Sequence, residues 1–241
     1  MCASLMIDPK QSVFASRLVK FFLPILLAII GLIVIYMVVD PTIFGKLFLL
    51  MTIYFIPPLG KESLIPIGIT GGNLTVPFTN NVVFIPPIDP FIMAVCIAFV
   101  DIMVALFLVW NLDVVKKIPI VGDVIAKIER AGKSSSSKYQ WIKPLEFIGI
   151  VLFVIIPFQG SGGFFGSVVG RVIGMKPWSV FTAVFIGSFM STFLVAYFAS
   201  ALFTLLATNL LQGFFVIIIV IIIIVMVVFY GRNSKRKKNT T

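Results

Sequence analysis

Histidine is missing from all 241 residues of the chain. That removes Ser-His and Cys-His nucleophile pairs, imidazole metal ligands and the usual proton shuttle of neutral pH. Charge is scarce too, at 12% of residues against about a quarter in a soluble domain. The two cysteines, Cys2 and Cys96, lie far apart and one is inside an apolar block, so neither a disulfide framework nor a thiolate metal site is indicated. No G-x-x-x-x-G-K-[ST] phosphate loop occurs, which argues against an ATP-driven pump. No enzymatic activity, metal or cofactor is expected.

What is present is apolar. Hydrophobic residues make up 60% of the chain, above the roughly 45–50% of a soluble domain. They fall in blocks, so hydropathy along the chain is a stronger guide than periodicity. Leu18–Val39, Ile88–Leu112, Trp178–Leu206 and Gly213–Tyr230 are each long enough, at about 1.5 Å per helical residue, to cross a hydrocarbon core about 30 Å thick. Ile43–Ile56 and Leu145–Ile156 are shorter and stop at proline and glycine. Apolar segments of about 10–14 residues are more often re-entrant than spanning. Leu18–Val39 is too long for the core of a cleaved signal peptide and runs into Asp40-Pro41 without a small-x-small site, so it reads as a retained helix.

The net charge of +10 is read as topology, because Lys and Arg gather on cytoplasmic loops; no nucleic-acid partner is expected. Lys10, Arg17 and Lys20 precede the first span, and Arg232, Lys235, Arg236, Lys237 and Lys238 follow the last, so both termini should be cytoplasmic. Residues 113–143 carry seven basic side chains, from Lys116 to Lys143, against three acids and should be cytoplasmic as well. Parity then requires residues 43–72 to enter from outside and turn back, and residues 145–175 to do the same from inside. The expected fold is an all-α, multi-pass protein of the cell membrane. It has four transmembrane helices (18–39, 88–112, 178–206 and 213–230), two opposed re-entrant hairpins in an inverted repeat, and a basic tail at 231–241. A P-x-x-G echo, Pro57 to Gly60 and Pro157 to Gly160, supports the repeat, since paired interrupted segments mark inverted-repeat transporters. Val121, Val124, Ile125 and Ile128 predict a short amphipathic helix on the inner membrane surface. The Lys133 to Lys138 run reads as a flexible linker. Asn73-Leu-Thr75 matches a glycosylation sequon on the expected external side.

Backbone groups freed where a helix breaks cost several kcal/mol in hydrocarbon, so breaks at Pro57, Gly60, Pro66 and Gly68, and at Pro157, Gly160, Ser161, Gly162 and Gly163, argue for a polar cavity. Gly162, Gly166, Gly170 and Gly174 recur every fourth residue, a stripe that would let another helix, or a second copy of the chain, approach closely. The sharper alternative is a helix N-terminus near Gly160 that holds an anionic group. Ionisable residues at membrane depth cost about 2.5–3.5 kcal/mol each at a helix centre. Asp101, Lys61, Glu62 and Arg171 qualify, either as neutralising pairs (Asp101 with Arg171, Lys61 with Glu62) or as a coupling site. In the second reading Glu62 and Asp101 bind the proton or cation, and Arg171 is counter-charge or substrate anchor. Glu146 should face headgroups, and Asp40 and Asp89 should mark helix ends.

Pro157-Phe-Gln-Gly-Ser-Gly-Gly-Phe-Phe-Gly166, running on to Gly174-Met175, resembles the P-x-P-G-T-G-x-W-x-G signature of the putative small multidrug export proteins. Those are relatives of the DedA-type membrane proteins. Gly60-Lys-Glu-Ser-Leu-Ile-Pro-Ile-Gly68 stands in the place of that family's E-L-R-G-A-I-P-x-G motif, with Glu62 two residues past the family's acid and Gln159 where it has proline. The resemblance covers roughly residues 50–200 and implies two opposed re-entrant hairpins. It implies a secondary transporter of small amphipathic molecules, with lipid translocation or a non-transporting assembly role as alternatives. Membrane lipids and an unidentified small-molecule or lipid substrate are the expected partners.

Overall fold

The computed structural model describes residues 9–56, 59–79, 81–115, 117, 122, 143–156, 162–208 and 218, with side chains from Leu18 onward except at 113, 115 and 143–145. The chain divides into two compact units, residues 1–197 and 198–241, and the first contains both interrupted segments and the helices packed on them. Of the second, the described residues are chiefly the helical stretch 198–208. Nearly all of the predicted amphipathic helix and of the loop 113–143, the span 213–230 apart from residue 218, and the tail lie outside the described residues, as do Pro57, Pro157, Gly160 and Ser161.

The described chain is mostly helical: α1 (Pro9–Val38), α2 (Pro41–Ile53), α3 (Lys61–Thr70), α4 (Pro90–Val115), α5 (Lys143–Ile155), α6 (Gly163–Val172) and α7 (Pro177–Thr208). Three of these are long and apolar enough to cross a membrane: Leu18–Val38 in α1, Pro90–Leu112 in α4 and Pro177–Thr208. A membrane protein is the consequence. Proline at the first position of α2, α4 and α7 suits a helix start, where its missing N–H would have no partner anyway. Asp40 and Asp89 cap two of these starts as expected. Asp40 Oδ1 accepts from the N–H of Thr42 at 2.8 Å and from its hydroxyl at 2.6 Å, which holds its carboxyl below the ordinary range. Asp89 Oδ1 accepts from the Phe91 N–H at 2.8 Å.

One element departs from the all-α expectation. Between α3 and α4, β1 (Gly72–Thr75) and β2 (Val82–Ile85) pair antiparallel, Gly72 opposite Ile85 and Thr75 opposite Val82. Gly71 ends α3 at φ +72°, a conformation that favours glycine, and the strands that follow are β-branched and aromatic in part. The sequon residue Asn73 is exposed on β1.

α4 is the central post. Two thirds of its span (67%) is buried, against 6% for α1, and it packs against α6, α1, α3 and α2. Gly31 lets α1 approach, because a methyl there would enter the ring of Phe99. One apolar cluster joins α4, α5 and α7 through Ala105, Val109, Val154, Val180 and Val184. Another joins α4 to α6 through Leu108, Leu112 and Val168.

The two interrupted segments have one plan. α2 and α5 each have 13 residues and α3 and α6 each have 10. Adding 102 to Pro41, Ile53, Lys61 and Thr70 gives Lys143, Ile155, Gly163 and Val172, so every bound coincides. This register sets Gly60 on Gly162, two residues later than the P-x-x-G echo, which pairs Gly60 with Gly160. Both glycines are helix N-caps in extended conformation, Gly60 at φ −115° and Gly162 at φ −72°. The echo follows where the apolar blocks stop, whereas the register follows where the second helices begin.

Candidate functional site

The second helix of each interrupted segment begins with N–H groups that need acceptors, and the first ends with carbonyls that need donors. Neither Gly60 nor Gly162 has a side chain to cap with. Side chains from elsewhere serve the start of α6 and the end of α5, and they are ionisable residues that stand out at membrane depth. Asp101, midway along α4 and 1% exposed, accepts through Oδ1 from the Gly163 N–H at 2.7 Å and from the Tyr54 hydroxyl at 2.7 Å. Its Oδ2 accepts from the Ser188 hydroxyl at 2.9 Å. One carboxylate thus ties α4 to the end of α2, the start of α6 and the middle of α7. A carboxylate at a helix N-terminus is also favoured by the macrodipole.

Lys61 does the converse. Its ammonium, on a residue 1% exposed, donates to the Val154 carbonyl at 2.8 Å, one of the free carbonyls at the end of α5. Ser191 donates to the neighbouring Ile155 carbonyl at 3.0 Å. Glu62 folds back over Gly60, whose added methyl would run into that carboxylate, and among the described residues its buried Oε2 has no hydrogen-bond partner. Asp101 and Glu62 both act electrostatically on Lys61. Tyr54, Lys61, Glu62 and Asp101 therefore form one group, Lys61 and Asp101 buried and Tyr54 and Glu62 half-buried.

The close approach explains two glycines. A methyl at Gly162 would lie 2.5 Å from Asp101 Oδ1, and one at Gly163 would overlap the Asp101 backbone carbonyl. Gly166 and Gly170 serve internal packing, against Val154 and Val184 and against Val180, so that side of the stripe is covered by this chain's own helices. Gly68 is packed likewise against Met93, and Pro66 lies within α3. Gly174 is different: at φ +93° it terminates α6, donating to Arg171 O while Met175 N donates to Gly170 O, a Schellman ending.

Arg171 does not join the group. Its Nη1 donates to the Met175 carbonyl at 3.0 Å at the far end of α6, and among the described residues it makes no ion pair with Asp101. Tyr54, Ser188 and Ser191 are site residues that sequence reasoning does not find. Single hydroxyls in long apolar blocks carry no local signal; only the fold brings them to a carboxylate.

Beside this group lies an apolar cavity of about 490 Å³ between α1, α2 and α4, with Phe164 of α6 in its wall. Phe55, Val100 and Phe164 line it, and each adjoins in sequence a member of the polar group, Tyr54, Asp101 and Gly163. Tyr54, Asp101 and Gly163 do not line the groove themselves; the same stretches of chain carry the groove and, beside it, the polar group. Among the described residues no cluster of Cys, Asp or Glu could hold a metal ion.

No curated protein and no solved structure shows significant similarity to the chain. Residues 64–194 match the family model described as "Putative small multi-drug export protein", a span that takes in Asp101, Gly163 and Ser188. The match covers more than half of the chain, and the protein belongs to that family.

Proposed function

We propose that the protein is a secondary transporter that exports small amphipathic molecules, with Asp101 as the carboxylate coupling export to protons. The single observation that carries this reading is a buried carboxylate, held by three donors from three elements, beside an apolar groove of about 490 Å³. The groove takes the apolar body of a substrate. Protonating Oδ2 makes that oxygen a donor, to which Ser188 answers by turning its hydroxyl to accept, while the bonds of Gly163 N–H and Tyr54 to Oδ1 lose the charge assistance that made them strong. Proton uptake thereby loosens the hold on the start of α6, a helix that walls the groove. Lys61 and Glu62 hold the charge balance of the same group.

In this reading α2–α3 and α5–α6 are the opposed re-entrant hairpins of an inverted repeat, which the coincidence of all four bounds under one offset supports. Both termini are cytoplasmic by the distribution of Lys and Arg. The test is efflux of a fluorescent lipophilic cation from proteoliposomes under an imposed pH gradient. Efflux should follow the gradient in the parent, be lost in Asp101→Asn and be weakened in Glu62→Gln. Gradient-driven efflux that is unchanged in Asp101→Asn would overturn it.

The groove favours one other reading. Its lining is apolar along its length, which suits an acyl chain, and lipid translocation is the function such a path would serve. Dithionite quenching of labelled lipid in the same proteoliposomes separates the two.

A further inference from the structure

Asp101 is 1% exposed, and a carboxylate that exchanges protons needs a route to water. The groove does not offer one, because its lining is apolar. The other side of the carboxylate carries polar groups. Gly163, Ser167 and Arg171 are spaced four apart on α6, and such residues fall on one helix face with about 5–6 Å between steps. The Gly163 N–H is on Asp101 at 2.7 Å. Ser167 is 0% exposed, and among the described residues its hydroxyl has no partner. A buried serine in a helix ordinarily bonds to the carbonyl four residues back, so an idle hydroxyl is an anomaly that costs about 1–3 kcal/mol if nothing meets it. Arg171, at the outer end of the stripe and partly exposed, repeats the pattern with a buried, unpartnered Nε.

The polar groups of the stripe thus run from the carboxylate to the surface at the end of α6, while Phe164, Val168 and Val172 form the apolar face packed on α4. Cβ positions about 5–6 Å apart leave a step that one or two waters can span, and buried waters sit where otherwise unsatisfied polar groups can hold them.

We propose that Ser167 and Arg171 hold a file of water molecules along α6 that connects Asp101 to the membrane face where α6 ends. This rests on the reading of Asp101 as the coupling carboxylate and supplies its proton route. Ser167 is a positioning residue, holding water that reaches the carboxylate. Arg171 sets the outer mouth, and its positive charge admits water while opposing the entry of free cations.

The test is water access, measured apart from transport. In a background of Cys2→Ser and Cys96→Ala, Ser167→Cys and Val168→Cys are each reconstituted and treated with a small hydrophilic methanethiosulfonate. Ser to Cys is close to isosteric, and both positions are 0% exposed, so packing alone makes them equally unreactive. The thiol at 167 should react at least about tenfold faster than that at 168, and Arg171→Leu should slow it severalfold. Equal, slow reaction at both positions would overturn the file. Should Ser167→Cys fold poorly, Ser167→Ala decides: loss of thermal stability supports a held water, and a gain refutes it. A reactive thiol in a protein that exports nothing removes the transport reading and leaves the file; proton-driven export with an unreactive thiol does the reverse.

Discussion

Ser188 of α7 donates its hydroxyl to Asp101 of α4 at 2.9 Å, and the two residues stand at the same count along their helices. Each lies eleven residues after the proline that opens its helix, Pro90 in α4 and Pro177 in α7. The same count pairs Met93 with Val180, and these pack against Gly68 and Gly170, the eighth residues of the two ten-residue helices. The two helices therefore meet where one carries a carboxylate and the other a hydroxyl. The asymmetry has a consequence: only α6 has its first N–H capped by α4, while Glu62 of α3 folds over its own N-cap glycine.

The carboxylate should be a stability determinant as well as a coupling group. Asp101→Ala leaves the Gly163 N–H, Tyr54 and Ser188 donors buried without an acceptor and should cost on the order of 3 kcal/mol. Asp101→Asn keeps an acceptor for Gly163, and Ser188 can turn its hydroxyl to accept from the new amide, so most of the stability should survive. Thermal unfolding followed by size-exclusion in detergent checks the order, parent above Asn above Ala. An Ala variant as stable as the parent would show that the three bonds do not hold the fold.

Glycine should be irreplaceable where helices touch and dispensable where they do not. Gly163→Ala sets a methyl into the Asp101 backbone, which cannot move as a side-chain tip would, and should abolish folded protein in the same assay. Gly45→Ala adds a methyl into open space within α2 and should stabilise by about 0.5–1 kcal/mol.

Much of this is legible in the sequence, and the rest shows what sequence hides. Three of the four predicted spans coincide with long helices, because runs of 20 apolar residues admit little else in a bilayer; the fourth lies outside the described residues. Glycine and proline likewise mark both breaks, since freed backbone there has a cost that pattern alone reveals. Asp101 and Lys61 stand out by the rarity of charge at depth, but their partners do not. Pairing Asp101 with Arg171 follows from charge, whereas the helix ends supply backbone dipoles that serve as well, and no residue type announces a free N–H. The β-hairpin escapes a reading by pattern because Gly72–Thr75 and Val82–Ile85 are four residues each, too short for a clear alternation.

Lys61 gives a second stability test, opposite in sign of charge. Lys61→Met keeps the apolar stem but removes the donor to the Val154 carbonyl, and should cost about 1–3 kcal/mol. A neutral or stabilising outcome would mean that the carbonyl finds another donor. Lys61→Met in an Asp101→Asn background should cost less than the sum of the two single changes, because the charges act on each other.

The groove supplies the last prediction, and it separates binding from folding. Ala28 of α1 and Phe48 of α2 face the same cavity, and α1 is largely exposed along its outer side, so a larger residue pointing inward meets space before it meets packed atoms. Ala28→Trp should occupy a substantial part of the roughly 490 Å³ while leaving the Asp101 hydrogen bonds untouched. Thermal stability should stay near the parent or rise, since a filled cavity restores contacts that empty space forfeits. Efflux of the lipophilic cation should fall at least tenfold with the proton route intact, which Ser167→Cys reactivity in the same variant reports. Full efflux with Trp in place would remove the groove from the substrate path and leave the carboxylate to act on some other part of the molecule.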